Sequence, residues 1–180
     1  KYYALLIGVS DYNDASNIQD LEGLPTKDAK DLKDVLVSKY SFNSEDIVLL
    51  NNSPTENQIL REFVKLRQKV TNKDNVLIFY AGHGMPTADG SSAYLVPYDG
   101  DVRLLEDTAI SRKRFFDEIG AAKPRSATFF FDNCYSGATR SEELLLASRP
   151  LGIKVQETDV PDNYLVFTAG ESNQTAGVLD

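Results

Sequence analysis

Short apolar runs alternate with helix-like segments along this chain of 180 residues. The run from Tyr2 to Val9 predicts a buried strand, because strands covered on both faces are apolar at successive positions. Similar runs predict further strands at residues 46–50, 75–81, 126–132 and 164–168, with a shorter one at 93–96.

Helical spacing appears between these runs. Thr26 is expected to cap a first helix. Its apolar face is expected to comprise Ala29, Leu32, Val35 and Leu36. A second helix is expected to begin with Ser53 as cap and Pro54 in the first turn. Its apolar positions are Ile59, Phe63, Leu66 and Val70. A third is predicted over 111–119, closed by Gly120.

Strands that alternate with helices predict an α/β fold, with a mostly parallel central sheet and helices on both faces. Residues 84–92 are expected to form a loop, and 97–100 a turn. The segment 135–162 has a mixed pattern, with one or two helical turns expected at 142–147. Ligands of such sheets bind beyond the carboxyl ends of the strands, near the point where the strand order reverses.

One histidine and one cysteine are present, and each follows a predicted strand. His83 lies in the string Tyr80–Gly84, and Cys134 in Asp132–Gly137. If the two strands are adjacent, about 4.8 Å apart, both side chains can face one gap. A thiol with a pKa near 8.5 needs a nearby imidazole to supply thiolate, and the same imidazole can protonate a leaving amine. The pair therefore predicts a cysteine peptidase; the alternative is a core histidine and a buried, inert cysteine.

Residues around this pair are candidates for substrate binding. The amide N–H groups of Gly84 and Cys134 are expected to form an oxyanion hole. Asp132 shares strand parity with Cys134 and is expected to line a pocket. Asp28, expected in the first turn of the first helix, can complete an acidic pocket for a lysine or arginine side chain. Simpler roles remain open: Asp132 can accept loop amides, and Asp28 can interact with the helix dipole.

Composition narrows the class of protein. The net charge of −8, with no basic stripe, argues against a nucleic-acid partner and leaves room for a basic substrate or a divalent cation. A single cysteine cannot form an internal disulfide. The apolar runs are too short to span a membrane, and no signal peptide is visible. We expect a cytoplasmic protein with polypeptide substrates.

The chain resembles the caspase-like cysteine peptidases, and metacaspases and their prokaryotic relatives in particular (peptidase family C14, clan CD). The matching strings follow the family's order along the chain. They are Ala4–Tyr12, Leu24–Ala29, Phe79–Gly84 and Asp132–Gly137. The resemblance implies a caspase-like three-layer sandwich and a single catalytic domain of the large-subunit (p20) type over residues 1–180.

The resemblance also implies roles for individual residues. His83 is the base, Cys134 is the nucleophile, and Gly84 with Cys134 supplies the oxyanion donors. The implied residues of the pocket for the residue before the scissile bond are Asp28, Asp132 and Ala81.

Cleavage after arginine or lysine is the specificity that the resemblance to metacaspases implies. True caspases instead carry an arginine in this pocket and cleave after aspartate. Near Asp28 the chain has only Lys27 and Lys30. Lysine cannot reproduce the bidentate grip of arginine on a carboxylate, so we expect a basic substrate residue.

Calcium is the one cofactor that the resemblance suggests, although the chemistry itself requires none. Many metacaspases bind it through aspartates after the histidine strand and again past the cysteine. The candidates in the first group are Asp99, Asp101 and Asp107, with Glu106 nearby; the second position falls at Ser141 and Glu142. Calcium takes six to eight oxygens, so a solvated acidic loop is the alternative.

Further expectations concern self-cleavage and the C-terminal end of the chain. A protease specific for basic residues can cut itself after Arg140 or Lys154, whereas Pro150 disfavours cleavage after Arg149. Family members continue past the last predicted strand, so we expect either the large fragment of a processed protease or a domain incomplete at its C-terminus. Caspases pair through an edge strand in that later part, so the resemblance also implies a monomer. The alternatives to a peptidase that cleaves after arginine or lysine are a catalytically idle caspase-like scaffold, a caspase-like protease of other specificity, and a phosphate-binding or receiver-type module.

Overall fold

The computed structural model describes residues 1–14, 17–87, 92–133 and 160–169. Its central sheet has five parallel strands in the order β2-β1-β3-β7-β8. These strands are β1 (Tyr2–Gly8), β2 (Ile47–Leu50), β3 (Asn75–Ala81), β7 (Ser126–Asp132) and β8 (Tyr164–Thr168). All five strands predicted from the long apolar runs are therefore confirmed.

A second, antiparallel sheet lies beside the end of β3. It consists of β4 (Gly84–Pro86), β5 (Ala93–Leu95) and β6 (Ile110–Ser111), in that order. The prediction of a loop over the whole of 84–92 was wrong, because Gly84 to Pro86 pairs with β5. The glycine and the proline in this stretch conceal a three-residue strand.

The helices complete three layers, which confirms the expected sandwich. They are α1 (Leu24–Lys39), α2 (Glu56–Lys69), the single turn α3 (Leu105–Thr108) and α4 (Arg112–Ala122), with 3-10 turns at Ser44–Asp46 and Val102–Leu104. Leu5 and Ile7 of β1 pack in the core that contains α2 and α4, whereas Ala4 and Leu6 pack in the core that contains α1. This alternation follows from the two-residue period of a strand.

Three helix ends differ from expectation. The third predicted helix was expected to close at Gly120, but α4 continues to Ala122 and has Lys123, in a left-handed conformation, as its C-cap. Gly23, in a left-handed conformation, is the N-cap of α1, and Thr26 lies inside the helix. The Thr26 hydroxyl instead accepts a hydrogen bond from the Ser10 hydroxyl at 2.8 Å, which ties α1 to the end of β1. In α2 the cap is Thr55, which forms a capping box with Gln58. Ser53 and Pro54 precede that cap.

The predicted apolar face of α1 was also wrong at one of its four positions. Ala29 and Leu36 are buried, but Val35 is 36% exposed. No helix in the described ranges is long and apolar enough to cross a membrane. The turns expected at 142–147 lie outside those ranges.

Gly8, the last residue of β1, is where α1 approaches the sheet most closely. A Cβ at this position would overlap the Pro25 carbonyl and lie 2.9 Å from Thr26 Cα. We expect Gly8→Ala to lower the free energy of unfolding by about 1–3 kcal/mol, because backbone must shift to admit the methyl group. Denaturant unfolding measures it, with Gly120→Ala as control, whose methyl would meet only the Tyr164 hydroxyl at 3.2 Å. An equal loss in both variants would contradict this account.

Candidate active site

The carboxyl ends of β3 and β7 lie side by side. Ala81 pairs with Asp132 across the two strands, and the Gly82 N–H donates to the Asp132 carbonyl at 3.2 Å. The expected adjacency of these strands is thus confirmed. His83 follows Ala81 by two residues, and Cys134 follows Asp132 by two residues. Cys134 itself lies outside the described residues.

A direct contact joins the residues that flank the two candidates. Asn133, only 5% exposed, packs against Gly84. A Cβ at Gly84 would overlap the Asn133 amide nitrogen and lie 3.0 Å from its Cγ. The residue before the cysteine therefore touches the residue after the histidine, and only glycine fits there.

The imidazole of His83 is buried, with 7% of the residue exposed. Its Nε2 lies 2.7 Å from the main-chain carbonyl oxygen of Gln19. A carbonyl oxygen can only accept, so Nε2 carries the hydrogen in this contact. In the neutral ring, Nδ1 is then the nitrogen that can take up a proton.

Burial lowers the pKa of His83 below its usual value, because the charged form loses hydration. The hydrogen bond to Gln19 and the negative charge of Asp20 act in the opposite direction but do not outweigh burial. At neutral pH the ring is therefore uncharged and available as a proton acceptor.

This lowered pKa gives a pH dependence of stability. In the unfolded chain the histidine has a pKa near 6.5. Between that value and the lower folded pKa, the unfolded state binds more protons, so the free energy of unfolding falls as the pH drops below about 6.5. His83→Gln removes the only histidine. Between pH 7.5 and 5 we expect the free energy of unfolding, measured with denaturant, to decline more steeply for the wild-type chain than for His83→Gln. Equal declines in the two proteins would contradict the burial argument.

Two buried tyrosines contact the main chain of His83. The His83 N–H donates to the Tyr12 hydroxyl at 2.7 Å, and the Tyr80 hydroxyl donates to the His83 carbonyl at 3.0 Å. Sequence reasoning missed both tyrosines, as well as Gln19. The tyrosines lie in two of the strings that carry the resemblance to caspase-like peptidases, whereas a main-chain carbonyl leaves no signal in the residue type.

The orientation of the Gly84 amide follows from the pairing of β4 with β5. Gly84 lies opposite Leu95, and the Val96 N–H donates to the His83 carbonyl at 3.0 Å. In an antiparallel ladder this pattern makes Gly84 and Leu95 a non-hydrogen-bonded pair. The Gly84 N–H therefore points away from β5 and is not used by the sheet.

Asp28, Ala81 and Asp132 lie on the same side of the central sheet. Ala81 packs in the core beside α1, and Asp132, paired with it, faces the same way. Partial burial raises the pKa of Asp132, and the charge of Asp28 raises it further. Asp28 is not in the first turn of α1, which contains no acidic residue. Its interaction with the helix dipole is correspondingly weaker, because that effect fades after the first turn.

Two of the acidic residues proposed for calcium have other partners. Asp99 accepts the Glu56 N–H at 2.8 Å, and both carboxylate oxygens of Asp101 bind the Arg103 guanidinium. In the portion of the chain that is described, no three acidic, histidine or cysteine side chains lie close enough to bind a metal ion. Calcium binding by Asp99, Asp101 and Asp107 stays a prediction. Ser141 and Glu142 lie outside the described residues.

Comparison with known proteins identifies similar sequences and folds. The family model described as "Caspase domain" (Peptidase_C14) matches residues 1–176. Metacaspase-1 of Scheffersomyces stipitis is 27% identical over 147 residues, which cover 74% of this chain and 35% of that protein. Metacaspase-1A of Neurospora crassa is 30% identical over 148 residues, 75% of this chain and 32% of that protein.

A Geobacter sulfurreducens protein of known crystal structure has a similar fold. It superposes with a TM-score of 0.63 and 17% sequence identity, covering 97% of this chain and 75% of that one. At this identity the likeness concerns the fold alone. The chain spans about a third of the length of the metacaspases that it matches.

Proposed function

Because this chain belongs to the caspase family, we propose that it is a cysteine endopeptidase with His83 as base and Cys134 as nucleophile. The observation that carries the proposal is the contact of Asn133 with Gly84 beside the paired residues Ala81 and Asp132. It brings the two chain segments to one edge of the sheet. That edge lies next to the reversal of strand order between β1 and β3, where such folds bind ligands.

In the proposed reaction, Nδ1 of His83 accepts the thiol proton of Cys134, and the thiolate attacks the carbonyl carbon of the scissile peptide bond. The C–N bond then breaks, and the same proton passes to the leaving amine. Water, deprotonated by the neutral imidazole, hydrolyses the thioester and regenerates the thiol. The Gln19 carbonyl supports this cycle, because it fixes the hydrogen on Nε2 and leaves Nδ1 free to exchange protons.

The oxyanion of the tetrahedral intermediate is proposed to bind the N–H groups of Gly84 and Cys134. The direction of the Gly84 N–H, away from β5, supports this assignment. Fixed donors of this kind stabilise developing charge without reorganisation of solvent.

Specificity for arginine or lysine is proposed to come from Asp28 and Asp132, with Ala81 in the same pocket. Their mutual repulsion favours a cation between them, since a cation offsets the charge that raises the pKa of Asp132.

Calcium activation, self-cleavage after Arg140 or Lys154, a monomeric state and a cytoplasmic location stay predictions. Intact mass of the wild-type chain against Cys134→Ala tests self-cleavage, and equal masses apart from the substitution would remove it.

Two fluorogenic peptides test the proposal, one ending in arginine and one in aspartate, each with and without calcium. We expect cleavage after arginine that is lost in Cys134→Ala. Cleavage after aspartate would overturn the pocket assignment but retain the mechanism. Turnover of neither peptide would favour a catalytically idle binding domain.

A further inference from the structure

We propose that Tyr12 and Tyr80 are positioning residues that fix the catalytic base through its main chain. The inference rests on the proposed function, since it assigns His83 as the base. Tyr12 follows β1 and Tyr80 lies in β3, so residues distant in sequence meet at one peptide.

Both polar groups of the His83 main chain end on these side chains. The N–H donates to Tyr12 at 2.7 Å, and the carbonyl accepts from Tyr80 at 3.0 Å as well as from Val96 N–H at 3.0 Å. Tyr12 is 4% exposed and Tyr80 is fully buried. Hydrogen bonds in such a dry environment constrain position strongly, because a displaced buried group loses its partner without gaining water.

Each hydroxyl is anchored in turn to another segment. Tyr12 donates to the Val9 carbonyl at 3.2 Å, and the Tyr80 hydroxyl shares its single hydrogen between the Val96 carbonyl at 2.7 Å and the His83 carbonyl at 3.0 Å. Burial raises the pKa of both phenols, so they remain neutral donors and acceptors at physiological pH. The His83 peptide is therefore tied to the end of β1 and to the residue after β5.

Tyr12 also contacts the imidazole directly. The two rings lie 5.0 Å apart between centroids at an interplanar angle of 43°. When the base takes up a proton it becomes a cation, and an aromatic ring within about 6 Å attracts a cation. Tyr12 can thus stabilise the protonated state as well as the position of the ring.

The turn before the base is shaped around the same hydroxyls. Gly82 has a φ of +151°, and a Cβ there would lie 2.9 Å from the Tyr80 hydroxyl oxygen and 3.0 Å from that of Tyr12. The glycine that precedes His83 is therefore required because the two phenols occupy the space that a side chain would need.

The test removes one hydroxyl at a time in Tyr12→Phe and Tyr80→Phe. We expect kcat for the arginine peptide to fall about ten- to a hundredfold, with KM changed less than about twofold, because a misplaced base slows chemistry without affecting the pocket. Tyr164→Phe is the matched control: it removes another buried hydroxyl, which donates to the Phe116 carbonyl at 3.3 Å. We expect its kcat to be unchanged.

A second measurement is independent of peptidase activity. His83 is the only histidine, so ¹⁵N-labelled histidine gives a single pair of ring resonances. For the wild-type chain at pH 8 we expect the Nε2–H form alone. In Tyr12→Phe and Tyr80→Phe we expect a mixture of the two tautomers, because the ring moves relative to the Gln19 carbonyl. Tyr164→Phe is expected to match the wild-type chain.

The outcomes distinguish the proposed peptidase function from the proposed positioning of His83 by the two tyrosines. An inactive wild-type chain whose tautomer shifts only in the Tyr12 and Tyr80 variants would remove the proposed function and keep the positioning of His83. Wild-type kcat and an unchanged tautomer in both variants would overturn the inference and leave the tyrosines a stabilising role alone. If Tyr12→Phe does not fold, Tyr80→Phe decides the question, since the Tyr12 ring still contacts His83 in that variant.

Discussion

His83→Ala is expected to lower kcat for cleavage after arginine by about 10²–10⁴-fold, the usual contribution of a positioned acid–base group. The neutral imidazole is the only side chain in the protein with an unperturbed pKa close to neutrality. Without it the thiol stays largely protonated and the leaving amine has no proton donor. Steady-state kinetics with the fluorogenic arginine peptide measure the effect.

The double variant His83→Ala/Cys134→Ala provides the control. Residues that act as a unit show non-additive losses, so we expect the double variant to be about as inactive as either single variant. Near-UV circular dichroism verifies that each variant is folded. A loss of less than tenfold in folded His83→Ala would contradict the assignment of the base.

Asp132→Asn is expected to lower kcat/KM for the arginine peptide by about 30-fold, roughly 2 kcal/mol, because the guanidinium loses its charged hydrogen-bond partner. The amide keeps the size of the carboxylate, so packing beside Ala81 is preserved. The same substitution at Asp28 is expected to act in the same direction.

Asp31→Asn is the matched control for this prediction. Asp31 also lies on α1, three residues after Asp28, but its carboxylate is paired with Lys27. The Asp31→Asn substitution removes the same charge as Asp132→Asn and is expected to change kcat/KM by less than about twofold. Equal losses in Asp31→Asn and Asp132→Asn would attribute the effect to net charge and remove the pocket.

The central sheet is predictable from this sequence because its strands are short, nearly continuous apolar runs. The apolar run of β1 and the phenylalanine run of β7 are too short for helices and too apolar for loops, and the helices between strands require parallel pairing. His83 and Cys134 are recognisable because each is the only residue of its type and follows such a strand.

Features that depend on the main chain were either not predicted from the sequence or predicted at the wrong residue. Gly23 caps α1 through its left-handed conformation, so the hydroxyl of nearby Thr26 was a misleading signal. The partner of His83 is a carbonyl oxygen of Gln19, which any residue can supply. Strand β4 needs its pairing with β5 to form, and three residues that include a proline carry too little pattern to reveal it.

The reactivity of the only cysteine tests the pairing of thiol and imidazole most directly. The rate of alkylation by iodoacetamide, followed by mass, reports the reactivity of Cys134 as a function of pH. We expect the wild-type chain to be alkylated faster than His83→Gln between about pH 6.5 and 8.5, because the neutral imidazole accepts the thiol proton, and we expect a midpoint near 8.5 in His83→Gln. The same profile in both proteins would contradict a shared site.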